Sequence, residues 1–373
     1  MPPRPKQRSN SLRVAALSTI PGIVWTQYPA DEFGRHAAEW DALAAASRYP
    51  AFLESRFLGQ AISDFGCPNG LLLFGHRGST PVAATILQRA PPGVWSTFQP
   101  SQLPLGAWVM ARDGDWEELL AALLRQLPGI AVSVGVTRQD PALVPRPANS
   151  RRLEALDYVP TAWVEVDGSF EDFWNARGKN LRQNLRKQRR KLERQGAVLA
   201  FEFCDRADDV LCAFRQFAAL ESAGWKGAEG SAISLDNTQG RFYLRMLDGL
   251  AQSEAAFALR LTPDGVPIAV DFGVIDGDRA SILKTTYDEK LAAFSPAQLL
   301  HEQALEYFFH AGRVRRVEFY GKVMEWHTRW TDKSRMLFHV NAYRPAVLKW
   351  LWQRSRVLRS RLARRPARRS ADD

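Results

Sequence analysis

The sequence predicts an α/β (α+β) fold of two tandem halves, each a mixed, mostly antiparallel sheet flanked by helices. Three observations carry that expectation. Between residues 256 and 319, three β-rich runs joined by tight turns are followed by a well-started helix and a further β run. Between residues 70 and 136 nearly the same order recurs: strands joined by a turn, then a helix, then a strand. Finally, Pro81-Val82-Ala83 stands in its hairpin where Pro267-Ile268-Ala269 stands in the later one.

The later stretch is the more informative. Its runs, 256–261, 266–275 and 280–287, are separated by Thr262-Pro263-Asp264-Gly265 and Asp276-Gly277-Asp278. In the first turn Pro presets φ and Gly supplies a left-handed residue. Ser295-Pro296-Ala297-Gln298 reads as a helix start, with Ser as N-cap, Pro in the first helical position and Gln placed for a capping box. Leu299, Leu300, Ala304, Leu305, Phe308 and Phe309 keep helical spacing, and Gly312 ends the helix. The run 314–320 closes the unit. A helix N-terminus beside a strand end offers free backbone N–H groups, an anion site suited to a diphosphate.

The rest of the chain supplies matching parts. A short strand at 24–28 precedes a helix at 31–46, with Phe33, Ala37, Trp40 and Leu43 or Ala44 on one face, and a second helix at 52–65 ended by Gly66. Strands follow at 70–76 and 82–88, with β candidates at 94–98 and 105–110. Asp115 caps a helix at 116–127, and 130–136 reads as a buried strand. A strand at 162–166 leads to Ser169, which caps a long helix with Asp172 in capping-box position. Phe170, Trp174, Leu181, Leu185 and Leu192 form its stripe to residue 194; Gly178 weakens its middle and Gly196 ends it. Further helices are expected at 207–222 and 238–251.

Composition bounds the function. A chain of 373 residues with 46% apolar content can bury a large core in two domains. The expected division is a basic disordered tail (1–22), halves at 23–166 and 167–345, and a basic amphipathic helix with its tail (346–373). No apolar run reaches the length that spans a bilayer. Cys67, Cys204 and Cys212 show no paired spacing and read as free thiols in a reducing cytoplasm. The six histidines show no metal-binding spacing, so no metal is expected. The net charge of +10 is concentrated in two segments, 177–194 and 344–373, each +8. The first reads as a solvated helix face or as an electropositive wall for a phosphorylated ligand. The second, through 346–365, suits either packing within the protein or contact with an anionic membrane surface.

Four segments carry a family resemblance: Glu221-Ser222-Ala223-Gly224-Trp225-Lys226-Gly227, Pro267-Ile268-Ala269, Tyr287-Asp288 with Ser295-Pro296, and Tyr320-Gly321-Lys322. In this order, within residues 170–344, the chain resembles the GNAT acyltransferase superfamily. More narrowly it resembles the BioF2-like/CelD-like acetyltransferases, relatives of the FemABX peptidyltransferases. The resemblance implies two tandem GNAT-like halves and an acyl-CoA-dependent N-acyltransferase, with acetyl-CoA or another acyl-CoA as co-substrate and an amine acceptor. A backbone N–H on the strand 281–287 would polarise the acyl carbonyl.

Candidate bases are Glu221, Asp271, Asp288 and Glu325. Cofactor contacts are expected at Lys284, Tyr287, Ser295, Pro296, Ala297 and Gln298, and acceptor contacts at Trp225, Lys226, Tyr320, Lys322, Trp326 and His327. Asp271 sits in an apolar strand, where a carboxylate is costly unless paired or functional; Lys284 on the next strand is the candidate partner. The segment 291–296 lacks the glycines of the usual GNAT phosphate loop, and Ala297 stands where the family often has Gly. An aminoacyl-tRNA donor, as in FemABX relatives, therefore stays open, as does a non-catalytic scaffold or membrane-associated binding protein. An amino sugar in polysaccharide or envelope metabolism is the acceptor the family suggests. The expected location is the cytoplasm, with peripheral contact at the inner membrane face.

Overall fold

The computed structural model describes residues 22–344. The expected N-terminal tail, up to residue 21, and the basic amphipathic helix at 346–365 lie outside the described residues. In chain order the first half holds β1 (Ile23–Pro29), α1 (Ala37–Ala46), α2 (Ser55–Phe65), β2 (Leu71–Arg77), β3 (Thr80–Arg89), β4 (Val94–Thr97), β5 (Trp108–Met110), α3 (Trp116–Gln126), β6 (Ser133–Gln139) and β7 (Leu153–Glu165). The second holds α4 (Phe170–Asn175), α5 (Lys179–Arg194), β8 (Leu199–Cys204), α6 (Ala207–Ala223), α7 (Trp225–Ala228), α8 (Thr238–Ala251), β9 (Ala256–Pro263), β10 (Ala269–Asp276), β11 (Arg279–Tyr287), α9 (Pro296–Ala311), β12 (Arg316–Phe319), α10 (Glu325–Thr328) and β13 (Ser334–Tyr343).

All strands join one 13-stranded sheet in the order β1-β2-β3-β4-β6-β13-β7-β12-β11-β10-β9-β8, with β5 pairing β3. Read from its two ends, the order is symmetric: β1 to β4 and β6 match β8 to β11 and β12. The pairs β4–β6 and β11–β12 are parallel, and the other pairs are antiparallel. At the centre the halves exchange strands. β7 follows β6 in sequence but pairs with β12, whereas β13 follows β12 but pairs with β6. Exchange makes each half complete the sheet of the other. The two sets of helices also meet: Phe57 and Phe65 of α2 pack on Phe242 of α8.

In the second half the helices cover both faces of the sheet. Phe214 and Phe217 of α6 and Tyr243 of α8 surround Phe272 of β10 on one face. On the other, Leu299, Leu300, Ala304, Leu305 and Phe308 of α9 and Leu181, Leu185 and Leu192 of α5 form a core with Phe257, Leu259 and Ala269. Successive strand side chains alternate between faces, so neighbouring residues serve different cores. A buried aromatic such as Phe272 contributes about 1.5–3 kcal/mol of transfer free energy.

Several elements differ from the sequence expectation, each for a local reason. The helix expected over 170–194 is broken. Ser169 caps α4, accepting the Asp172 N–H at 3.0 Å, but the chain turns at Ala176 and restarts at α5 with Gly178 as N-cap. Ser295 makes no side-chain cap: it adopts φ +54° and starts α9 by backbone turn, while the Gln298 Oε1 accepts the Trp330 indole N–H at 2.9 Å. The turn after β9 has both Asp264 (φ +50°) and Gly265 (φ +80°) left-handed, so Pro263 precedes the turn instead of occupying its second position. The strand at 130–136 begins only at Ser133, and Ile130 is exposed. Sequence reading missed β8, β13 and the first nine residues of β7.

Candidate active site

The site arises where two strands stop being neighbours. β11 runs from Arg279 to Tyr287, but its parallel pairing with β12 covers only Arg279–Ser281 against Arg316–Glu318. Beyond Ser281 the strands part, and the edge of 282–287 facing the gap has backbone groups without a strand partner. A cavity of about 540 Å³ fills the gap on the α9 face. It is lined by Ile282, Leu283, Lys284, Thr285 and Tyr287 of β11, by Ser295–Gln298 and His301 at the start of α9, and by Phe319, Tyr320, Gly321, Trp326 and His327. A second cavity, of about 240 Å³, lies against Gln102, Arg138, Tyr158, Tyr243 and Lys322. Both include Leu283, Lys284, Tyr320 and Gly321 in their linings, so these residues form a throat through the sheet.

Of the expected cofactor residues, all six line the larger cavity. The helix start offers less than the sequence suggested. Pro296 has no N–H, and the Gln298 and Leu299 N–H groups both donate to Ser295 O, at 3.0 and 3.1 Å. Only the Ala297 N–H of that first turn is left for a ligand. Lys284 stands at the throat with its ammonium 6.0 Å from the Tyr243 ring centre; burial, and then the Lys226 charge, hold its pKa below the usual lysine value.

One wall is a stack of rings. Trp326 lies between His301 and His327, with ring centres 5.0 and 3.5 Å apart. His327 Nδ1 accepts the Met324 N–H at 2.9 Å, which places its proton on Nε2. Burial pushes its pKa down to about 4, so it is neutral at pH 7. Next to the stack is Asp271. Its expected partner was Lys284, but Lys284 lies opposite Phe272 in the register and serves the other face. Asp271, fully buried, instead brings Oδ2 to 3.1 Å from His301 Nε2 of α9. The pair is in contact without hydrogen-bond geometry, and both side chains have all their polar atoms without a hydrogen-bond partner.

The throat is fixed from three directions. The Tyr320 hydroxyl donates to Asp140 Oδ2 (2.9 Å), just after β6, and Arg335 of β13 donates to both Asp140 oxygens at 2.6 and 2.5 Å. Arg335 also ion-pairs with Glu318 of β12 at 2.9 Å. Burial, then the Asp140 and Glu318 charges, hold the Tyr320 phenol well above its ordinary pKa, so it stays protonated. Phe52 packs edge-on against its ring. The exchanged strand thus links residues of both halves behind one cavity-lining tyrosine.

The remaining expected residues do not line the larger cavity. Glu221 is bound to Lys226 and accepts the Ile233 N–H at 2.6 Å. Trp225 is exposed, and its backbone N–H donates to Glu289. Asp288 accepts the Lys290 N–H at 3.0 Å, and Glu325 pairs with Arg329 at 2.8 Å on the surface. Sequence reasoning missed His301, Asp140 and Arg335. His301 did carry a signal: 301, 304, 305 and 308 share helical spacing, which puts an imidazole on the apolar face of α9. Asp140 and Arg335 carried none, because their meeting depends on the strand exchange. Among the described residues, no group of three or more His, Cys, Asp or Glu side chains could hold a metal ion.

The model of the acetyltransferase (GNAT) domain family matches residues 179–328. This chain carries a GNAT acyltransferase domain. It covers the gap between β11 and β12, α9 and the ring stack, and makes the chain a transferase. Among solved structures, the C-terminal domain of a putative lysylphosphatidylglycerol synthetase from Agrobacterium fabrum superposes with a TM-score of 0.53 at 13% identity, over 87% of this chain and 96% of that one. FemX superposes with a TM-score of 0.53 at 10% identity, over 85% of this chain and 97% of that one. At such identities the likeness is one of fold, and it extends beyond the GNAT domain to most of both halves. A comparison with curated protein sequences finds no match.

Proposed function

We propose that this GNAT chain is an N-acyltransferase that takes an acyl group from acyl-CoA, acetyl-CoA in the simplest case, and passes it to a primary amine. The observation that carries the reading is the throat: a donor in the larger cavity and an acceptor in the smaller one would meet at Leu283, Lys284, Tyr320 and Gly321. An activated thioester needs orientation, a polarised carbonyl and removal of one proton. The unpaired edge of 282–287 supplies backbone donors for the carbonyl oxygen, where negative charge develops, and Lys284 stands beside it at the throat. Donor contacts belong to Tyr287, Ser295, Pro296, Ala297 and Gln298, and acceptor contacts to Tyr320 and Lys322. Tyr158 and Tyr243 give the smaller cavity aromatic surface fitting an amino sugar.

In this proposal the enzyme works in the cytoplasm as two halves, 23–166 and 167–345, with peripheral membrane contact left to 346–365. Among the described residues no helix is long and apolar enough to cross a membrane. Titration calorimetry with acetyl-CoA, a longer acyl-CoA and a CoA-free buffer tests the donor. Micromolar binding of the acyl-CoAs is the expected result; no binding of either removes the acyl-CoA reading.

A second donor, aminoacyl-tRNA, is favoured by one observation. Arg186, Lys187, Arg190, Lys191 and Arg194 stand together and exposed on α5, a helix that packs beside α9. Such a face suits a nucleic-acid backbone. Lys187→Glu with Arg190→Glu separates the two: it leaves acyl-CoA binding within about twofold, yet weakens retention of total tRNA at low salt if tRNA is the donor.

A further inference from the structure

An acyl transfer to an amine needs a proton acceptor, and most candidates in this site are already engaged. Glu221 is held by Lys226 and the Ile233 N–H, Asp288 by the Lys290 N–H, and Glu325 by Arg329. Asp140 and Glu318 are tied to Arg335. His327 uses Nδ1 to accept the Met324 N–H. Asp271 and His301 differ. They are 0% and 2% exposed and in contact at 3.1 Å, and all four of their polar side-chain atoms lack hydrogen bonds. Leaving such groups unsatisfied inside a core is costly, and a pair kept only for stability would be replaced by apolar side chains without loss. Yet His301 lines the cavity.

We propose that His301, oriented by Asp271, takes the proton from the acceptor amine. Nε2 faces the Asp271 carboxylate at 3.1 Å, which leaves Nδ1 as the nitrogen that takes the amine proton. The amine lone pair attacks the acyl carbonyl and forms the C–N bond. The C–S bond to the leaving thiolate breaks, the amine proton passes to His301 Nδ1, and from there it is returned to the thiolate. The Asp271 side chain lies against the imidazolium while it lasts. The other titratable groups around the cavity are Lys284 and Tyr287 on β11, Tyr320 after β12 and His327 on α10. Of these, the Tyr320 phenol is held protonated by burial and the Asp140 and Glu318 charges and serves as a donor, and Lys284 lies on the opposite face of β11 from His301.

This step rests on the N-acyltransferase reading, so its test uses two donors. The pH profile of kcat/KM is measured with acetyl-CoA and with p-nitrophenyl acetate, each with glucosamine as the amine. A histidine base gives the wild-type profile an acid limb. His301→Gln lowers kcat about 100-fold or more, keeps the donor KM within about twofold and abolishes that acid limb. Asp271→Asn moves the acid limb down by about one pH unit, since the imidazolium loses its counter-charge. Asp271→Leu with His301→Met replaces the pair by apolar volume; it keeps or raises the melting temperature while remaining inactive, which separates chemistry from folding.

Turnover of the nitrophenyl ester but not of acetyl-CoA, with the same loss in His301→Gln, rejects acyl-CoA and retains the dyad. Unchanged kcat and pH profile in His301→Gln with either donor overturns it. Imidazole NMR gives a readout without turnover: a His301 titration indifferent to Asp271→Asn overturns the proposal whatever the donor.

Discussion

The two halves share one topology and treat the gap between their parallel strands in opposite ways. In the second half, β11 stays on β10 to its end while β12 departs, and the connection 288–295 runs outside the gap in a short 3-10 turn anchored by Asp288. In the first half, β4 leaves the sheet after Thr97, and β5 takes the place on β3 that its far end would hold. The intervening residues fill the gap. The Gly106 N–H donates to Thr137 O at 3.2 Å, and the Thr97 and Thr137 hydroxyls meet at 2.6 Å. A Cβ at Gly106 would come within 2.5 Å of Thr137 O, so only glycine fits this plug. The same fold therefore yields a sealed gap and an open one, and the difference lies in the connection that follows the diverging strand.

That contrast can be broken first at the seam. Arg335→Met leaves Asp140 buried without its cation and Glu318 with only Arg316 at 3.8 Å, and is expected to cost about 3–5 kcal/mol in denaturant unfolding. Because Asp140, which accepts the Tyr320 hydroxyl, loses its Arg335 hydrogen bonds, activity falls with stability; unchanged stability would show that the halves do not depend on the exchanged strand. Next, the open gap can be closed. A Cβ at Gly321 meets nothing within 4 Å, so Gly321→Trp projects an indole from the throat. Acyl-CoA binding is expected to weaken about 100-fold, or roughly 2.7 kcal/mol, with the melting temperature little changed.

A third test concerns the ring wall. His327 has a folded pKa lowered to about 4, mainly by burial, so the unfolded chain binds its proton first as pH falls. The native state keeps this stability above about pH 6.5 and loses it between about 6.5 and 4. His327→Gln should remove part of that acid sensitivity, on the order of 2 kcal/mol; an identical stability–pH curve would contradict the neutral imidazole. Finally, Gly106→Ala presses on the plug of the first half. It should destabilise by about 1–2 kcal/mol and leave acyl-CoA binding untouched, whereas a loss of binding would give the sealed half a part in the site.

The ring stack also shows how far each level of description reaches. Trp326 and His327 were legible as a polar and aromatic loop after a β run, and the α9 start was legible from Ser295-Pro296. Both line the cavity. The capping box read from the same residues does not form, because Gln298 finds the Trp330 indole, a partner on an element that comes 32 residues later. Asp271 was legible as an anomaly within its strand, but its partner was not: Lys284 is its neighbour by sequence pattern, and the alternation of strand side chains sends the two to different faces.

What the sequence determined by itself was local: the hairpins, the helix starts and stops, the order that repeats, and the family resemblance, since these depend on neighbouring residues and short periods. What only the tertiary structure decided was long-range. The exchange of β7 and β13 brings Asp140, Glu318, Tyr320 and Arg335 together from distant parts of the chain. The packing of α9 on β10 sets His301 against Asp271. Which gap stays open follows from where a connecting segment finds hydrogen bonds, as Gly106 does on Thr137. No periodicity records such pairings, because a strand's pattern states that one face is buried and not which strand lies beside it.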